Sequence, residues 1–332
     1  MVAMRLAVIG SYGHVNLVME GLRHLPRVQL VAAARWGPDD PMSFLRHEAA
    51  PAGLSIYDDY RGMLLNERPE VAVVCMPLYR LAEASIAAAE AGCHVFSEKP
   101  LATTLADLDR LRTAVARSGV QLAAMLAMRG EPAFRTIRQA IRAGRIGRVL
   151  YATAQKSYPF NRRDDFYKNR QTYGGSIPWQ LIHALDYVAW CTGQDYRRVA
   201  AMADNLAHPT HPGMEDQGGV LAKLSGGGTA VFNFDYLRPW GKHARPWGDD
   251  RLRIAGTDGI IETKDSAKAV ELTTPDNTEL LPLEPARNLF ADWITALAGQ
   301  GESPITSEES FRITEVALRA REAQDAGCAI DL

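Results

Sequence analysis

The sequence predicts an α/β protein built from two different domains, and two observations lead there. Through its first third, short continuous apolar runs alternate with helical patterns, as in a parallel sheet covered on both faces. From about Tyr151 the runs lengthen and glycine turns join them, which points to an antiparallel or mixed sheet. A chain of 332 residues, 47% hydrophobic and 23% charged, has enough apolar material for two cores and argues against disorder.

Residues 6–9 read as the first strand and 17–25 as the helix after it. A strand follows at 28–34, then 71–76 with a helix at 82–91, 95–96 with a helix at 105–115, and a last strand at 122–126. In the second domain the expected strands are 151–155, 199–203, 219–224, 229–236 and 251–254, with Ser225-Gly226-Gly227-Gly228 turning between two of them. Helices over 179–190, 286–298 and 308–324 are expected to cover one face of that sheet. Residues 159–175 are polar, aromatic and basic, and a loop of that length is usually functional.

Composition narrows the function classes. A formal charge of −2 with no long basic run argues against nucleic acid or an anionic surface as partner, leaving small molecules. Cys75, Cys93, Cys191 and Cys328 lie far apart with no C-x-x-C pair, so neither a disulfide framework nor a zinc knuckle is expected. The start of the chain enters a strand without a basic-then-apolar leader, and no apolar stretch reaches membrane-spanning length. A cytoplasmic protein is the expectation. His208-Pro209-Thr210-His211, with Glu215 and Asp216 after it, is broken by proline and reads as a solvated connection, so no metal site is expected.

Two features carry chemistry. Thirty of the 37 basic residues are arginine, and Lys99 is the only lysine before Lys156. It sits in His94-Val95-Phe96-Ser97-Glu98-Lys99-Pro100, just past the carboxyl end of a short apolar strand, where open α/β sheets hold their ligands. An ammonium can be tuned by burial and a guanidinium cannot, so acid-base work asks for lysine. The second feature is Gly10-Ser11-Tyr12-Gly13-His14-Val15-Asn16, a turn from strand to helix that can offer backbone N–H groups to a pyrophosphate. Tyr12 and Val15 stand where G-x-G-x-x-G would have glycine, and an ordinary tight turn explains the segment equally well. After the second strand, Val31-Ala32-Ala33-Ala34-Arg35-Trp36 shows no carboxylate before Asp39. Arg35 suits a ribose 2′-phosphate, and Arg35 or Trp36 could stack on adenine, which favours NADP over NAD. The competing reading is a plain surface arginine.

With Glu98-Lys99-Pro100 the chain resembles the glucose-fructose oxidoreductase / inositol dehydrogenase / MocA (Gfo/Idh/MocA) family of NAD(P)-dependent oxidoreductases. The likeness runs through the glycine turn, Val71 to Pro77, Ala89 to Leu101, Arg129 with Pro132-Ala133-Phe134, Gly144-Arg145-Ile146-Gly147, Gly174-Gly175 and His183-Ala184-Leu185-Asp186. It implies a Rossmann domain over 1–125 and, over 126–332, an α+β domain for substrate binding and oligomerisation. That second domain would carry a large open, mixed and mostly antiparallel sheet, making a homodimer or homotetramer. By position, Lys99 and His183 would handle the proton of a hydride transfer to or from a sugar, cyclitol or related polyol. Asp186 would orient the imidazole or pin its helix. Gly10, Ser11, Tyr12, Gly13, His14, Arg35, Trp36, Cys75, Met76, Pro77, Glu98, Lys99 and Arg129 would bind the cofactor, NADP or else NAD. Tyr158, Arg162, Lys168, Trp179, Gln180 and His183 would face the substrate.

The sequence also departs from the family pattern. Trp179 stands where many members have an aspartate one turn before the histidine, with Gln180 as a hydrogen-bonding substitute. Pro77-Leu78-Tyr79-Arg80-Leu81 replaces Pro-Asn-x-x-His. Trp179 and Leu81 motivate one alternative, a cofactor-binding sensor or scaffold without turnover; a further alternative is a redox-neutral lyase or glycosidase in which NAD(H) is oxidised and re-reduced within one cycle.

Overall fold

The computed structural model describes residues 3–241 and 247–332. The chain divides into two compact units, one comprising residues up to 127 together with 288–314, the other 128–287 together with 315–332.

The first unit runs β1 (Met4–Ile9), α1 (Val15–Leu22), β2 (Val28–Ala34), β3 (Ser55–Tyr57), α2 (Tyr60–Glu67), β4 (Val71–Val74), α3 (Leu81–Glu90), β5 (His94–Ser97), α4 (Leu105–Ser118) and β6 (Leu122–Ala124). Its six strands lie in the order β3-β2-β1-β4-β5-β6, and every pair is parallel. Leu6, Val8, Ala72 and Val74 are all fully buried, which is why these strands read as unbroken apolar runs. Strand order reverses between β1 and β4, so the chain leaves both at the switch point where such sheets bind ligands. β3 and α2 are additional to the expected elements. β3 is a three-residue edge strand with Ser55 and Ile56 exposed, and α2 is started by Asp59, whose carboxylate accepts from Arg61 N and Gly62 N.

The second unit contains α5 (Pro132–Arg142), β7 (Val149–Pro159), α6 (Arg170–Tyr173), α7 (Ile182–Thr192), β8 (Tyr196–Asp204), β9 (Gln217–Leu224), β10 (Thr229–Arg238), β11 (Asp249–Gly256), β12 (Ile260–Lys264), β13 (Ala269–Thr273) and β14 (Thr278–Leu280). After it come α8 (Leu289–Leu297), α9 (Ser307–Ala326) and β15 (Ile330–Asp331). The nine-stranded sheet has the order β14-β13-β12-β11-β7-β10-β9-β8-β15; β7 and β10 are parallel and the other pairs antiparallel. The mixed, mostly antiparallel sheet is as expected.

Two expectations need correction. Residues 288–314 return to the first compact unit. The helix expected at 286–298 therefore does not cover the second sheet. It is α8, whose Phe290 and Trp293 pack 5.1 and 5.3 Å from the Phe96 ring of β5. Asn288 caps α8 and donates to Leu17 O at 2.9 Å, fixing it against α1. The start of α9 then covers the β6 edge, where Ser307 and Ser310 hydroxyls accept from Leu122 N and Ala124 N at 2.8 and 3.1 Å. The second correction concerns 159–175, which is not a bare loop. It holds a short turn at Asp165–Lys168 and α6, and its aromatics make a small core: Tyr167 stacks on Phe166 and packs against Tyr173, both tyrosines buried.

Candidate active site

In the first unit the residues after β1, β4 and β5 converge. Gly10 and Gly13 both have positive φ, 77° and 78°, and the protein's own packing demands them. A Cβ at Gly10 would stand 2.3 Å from Cys75 O, and one at Gly13 2.1 Å from Glu98 Oε1. Tyr12 N donates to Cys75 O at 2.9 Å, so the turn is laid on the carboxyl end of β4. Glu98 is fully buried; Oε1 accepts from His14 N at 2.7 Å and meets His14 Nδ1, and Oε2 accepts from Lys99 N at 2.7 Å. Burial alone would raise its proton affinity, but the His14 charge and hydrogen bond, with Lys99, outweigh it and hold the carboxyl below its ordinary range. Glu98 thus clamps the glycine turn to the strand end that carries Lys99. Lys99 is 2% exposed and joined to Pro100 by a cis peptide.

The loop after β2 closes on an acid that sequence reading passed over. Asp40 is buried; Oδ1 accepts from Ser11 Oγ and from Met42 N at 3.0 Å, and Oδ2 accepts from Trp36 N at 2.9 Å. Arg35 Nη1 donates to Asp40 O at 3.1 Å, and its Nε is 3.7 Å from Asp58. Arg80, in the position that departs from the family pattern, donates to Trp36 O. Cys75 and Met76 are fully buried and Pro77 follows them; burial first, then the Glu98 and Asp40 charges, pushes the Cys75 thiol well above its ordinary value, so it stays protonated. The turn and the uncapped first turn of α1 fit a pyrophosphate.

In the second unit His183 lies on α7, 8% exposed. Asp186, three residues on, is taken by Arg129: Nη2 donates to Oδ1 at 2.6 Å and Nε to Oδ1 and Oδ2 at 3.1 and 3.0 Å, with both side chains buried. The structure thus joins two residues to which the resemblance gives separate tasks, and ties α7 to the turn Ala127–Gly130. Trp179 and Gln180 lie in the π-helical turn Ile177–Leu181, with Trp179 edge-on to Tyr167 at 6.4 Å. Gln180 Nε2 donates to Lys156 O and Asp235 O at 3.1 and 3.0 Å. Tyr158 bonds to Lys156 and Asp250. Exposed Arg162 lines a cleft of about 560 Å3 with Phe160, His208, Tyr236 and Trp240, whereas Lys168 pairs with Asp165 at 2.6 Å in an exposed turn.

The 208–216 connection is solvated at Pro209, Thr210 and Pro212, as expected, but buries His211, Glu215 and Asp216. Asp216 is fully buried and accepts from Leu206 N, Ala207 N and His208 Nδ1, and Glu215 accepts from Ser176 N at 2.7 Å. Among the described residues no group of three or more histidines, cysteines or acids is arranged to hold a metal ion.

Comparison with known proteins places these halves. A model described as "Oxidoreductase family, NAD-binding Rossmann fold" matches residues 4–125, and the GFO/IDH/MocA C-terminal domain matches 134–262. A solved oxidoreductase from Thermotoga maritima is 33% identical, covering 99% of this chain and 100% of its own, with a TM-score of 0.93. The chain belongs to the Gfo/Idh/MocA oxidoreductase family. Among Gfo/Idh/MocA relatives, a 1,5-anhydro-D-fructose reductase from Ensifer adhaerens is 27% identical over 75% of this chain and 76% of its own. A myo-inositol 2-dehydrogenase from Thermotoga maritima is 26% identical over 78% and 74%. The first unit of this Gfo/Idh/MocA protein is thus an NAD(P)-binding Rossmann domain. No helix among its described residues is long and apolar enough to cross a membrane.

Proposed function

We propose that this chain is an NADP-preferring oxidoreductase that moves a hydride between nicotinamide and a hydroxyl-bearing or keto carbon of a sugar, cyclitol or related polyol. The observation that carries the reading is Lys99, buried at the carboxyl end of β5 in an NAD-binding Rossmann domain. The names of the reductase and dehydrogenase relatives support the substrate class. The dinucleotide supplies the hydride chemistry when bound. Hydride transfer at a carbinol carbon also moves a proton on its oxygen; Lys99 would stabilise alkoxide charge there and His183 would take or give the proton. Arg35, with its guanidinium at the end of β2, would pair with the 2′-phosphate.

Titrating the purified protein with NADPH and with NADH, read by tryptophan-to-nicotinamide energy transfer, tests the cofactor reading. Micromolar NADPH binding with much weaker NADH binding is expected; equal or reversed affinities would remove the NADP preference. Turnover of polyols by the wild type, lost in Lys99→Met, tests the chemistry. Assembly as a homodimer or homotetramer through the outer face of the nine-stranded sheet belongs to the same reading, supported by exposed Met202 (85%) and Leu221 (53%), and light scattering would decide it. Four free cysteines, three of them buried, suit a cytoplasmic location.

A further inference from the structure

The chain between β2 and β3 folds around one carboxylate. Asp40, 3% exposed, reaches back to Trp36 N at 2.9 Å, forward to Met42 N at 3.0 Å and across to the Ser11 hydroxyl of the glycine turn, and all three donate to it. Its own N–H donates to Gly37 O at 3.1 Å, and its carbonyl accepts from Arg35 Nη1 at 3.1 Å. Met42 has a positive φ of 45°, a conformation that costs energy in a residue with a side chain, and Asp40 Oδ1 holds its N–H there. A second side chain grips the loop from outside. Arg80, in the turn that follows β4, donates to Trp36 O. Trp36 is thus held twice through its backbone, its N–H by Asp40 and its carbonyl by Arg80.

These bonds decide what Arg35 can do. Its backbone N–H donates to Tyr57 O at 2.9 Å, fixing the chain at the end of β2, and Nη1 is taken up by Asp40 O. Nε lies 3.7 Å from Asp58, whose side chain is 96% exposed and therefore well screened, and neither contact uses Nη2. A guanidinium anchored through one nitrogen and open at another has little freedom left to lose on meeting an anion. The intervening residues supply no such anchor, since Trp36 to Asp39 form no regular element and none of them is buried. The chemistry of the hub also requires a carboxylate. Asparagine has one oxygen and one amide nitrogen, so either the Trp36 N–H or the Met42 N–H would then face another N–H.

Resting on the functional reading above, we infer that Asp40 and Arg80 are positioning residues for cofactor preference, which hold the 36–42 loop so that Arg35 is anchored to receive a 2′-phosphate. The test measures NADPH and NADH affinities, by tryptophan-to-nicotinamide energy transfer, for wild type, Asp40→Asn, Arg80→Met and Arg35→Gln, and for Arg35→Gln combined with each of the other two. Asp40→Asn and Arg80→Met should each weaken NADPH about tenfold while changing NADH less than about threefold. Added to Arg35→Gln, neither should weaken NADPH further, because the loop then has no guanidinium to present. Retained NADH affinity shows that a variant is folded. If Asp40→Asn does not fold, Arg80→Met leaves the buried carboxylate untouched and decides the matter by the same ratio and the same double variant. An unchanged NADPH-to-NADH ratio, equal loss of both dinucleotides, or additivity in the double variants would make the loop a structural prop and overturn the inference. A loss in Asp40→Asn confined to NADH would make Asp40 a ribose ligand and overturn it as well. A wild type without NADPH preference overturns the cofactor reading itself, and the inference with it.

Discussion

Removing the Asp186 carboxylate should destabilise the second unit far more than removing an exposed ion pair. Its partner Arg129 is 4% exposed and donates to that carboxylate at 2.6, 3.0 and 3.1 Å, so Asp186→Ala removes the counter-charge of a buried guanidinium. Breaking a buried pair from one side costs about 3–5 kcal/mol. For a unit of this size that is a fall in melting temperature of about 10 °C. Arg129→Met alone should cost a similar amount, whereas Arg129→Met with Asp186→Leu should recover most of the loss, because the double variant leaves no charge buried. Thermal and urea unfolding followed by circular dichroism would give the three numbers. A loss below about 1 kcal/mol for Asp186→Ala would refute the argument, as would simple additivity in the double variant. A fall in turnover without any loss of stability would assign Asp186 to His183 and not to Arg129.

Three further outcomes follow from the first unit. Glu98 is held below its ordinary proton affinity, so it stabilises the fold above its unfolded value of about 4.3, and that contribution disappears as pH falls through the depressed folded value; His14→Ala should shift acid unfolding to higher pH, and an unmoved midpoint would count against the clamp. Gly13→Ala places a methyl 2.1 Å from Glu98 Oε1 at a positive φ, and should cost at least about 1–2 kcal/mol of stability and weaken NADPH binding, both measured on the same protein. Arg35→Gln should weaken NADPH about tenfold, roughly 1.4 kcal/mol, with NADH little changed; equal weakening of both would deny it the 2′-phosphate.

The legibility of this molecule followed burial. β1, β4 and β5 stand out because both of their faces are covered, so nearly every residue is apolar. β3, with two exposed residues of three, leaves no such trace, and β12 to β14 are short strands of a half-covered hairpin series. For α8 the amphipathic pattern reveals an apolar face but not its partner, which is why Phe290 and Trp293 were expected over the wrong sheet. At the candidate site, Lys99 was visible by its rarity. Its support was not: His14 and Glu98 are 84 residues apart, and Asp40 lies six residues past the end of β2, in a loop with no period of its own. Lys156 and Asp250 are separated by an even longer stretch, and only the β7–β11 register makes them neighbours.

The return of 288–314 has a consequence for synthesis. The ribosome releases residues up to 127 long before Phe290 and Trp293 exist to cover Phe96, or Ser307 and Ser310 to meet the amides of β6. Domains usually finish in the order in which they are translated. Here the dinucleotide unit starts first and closes late, with nearly the whole second sheet already translated. A gene fragment ending at 127 would therefore encode an unfinished object, and a stand-alone cofactor domain would require splicing 288–314 back on.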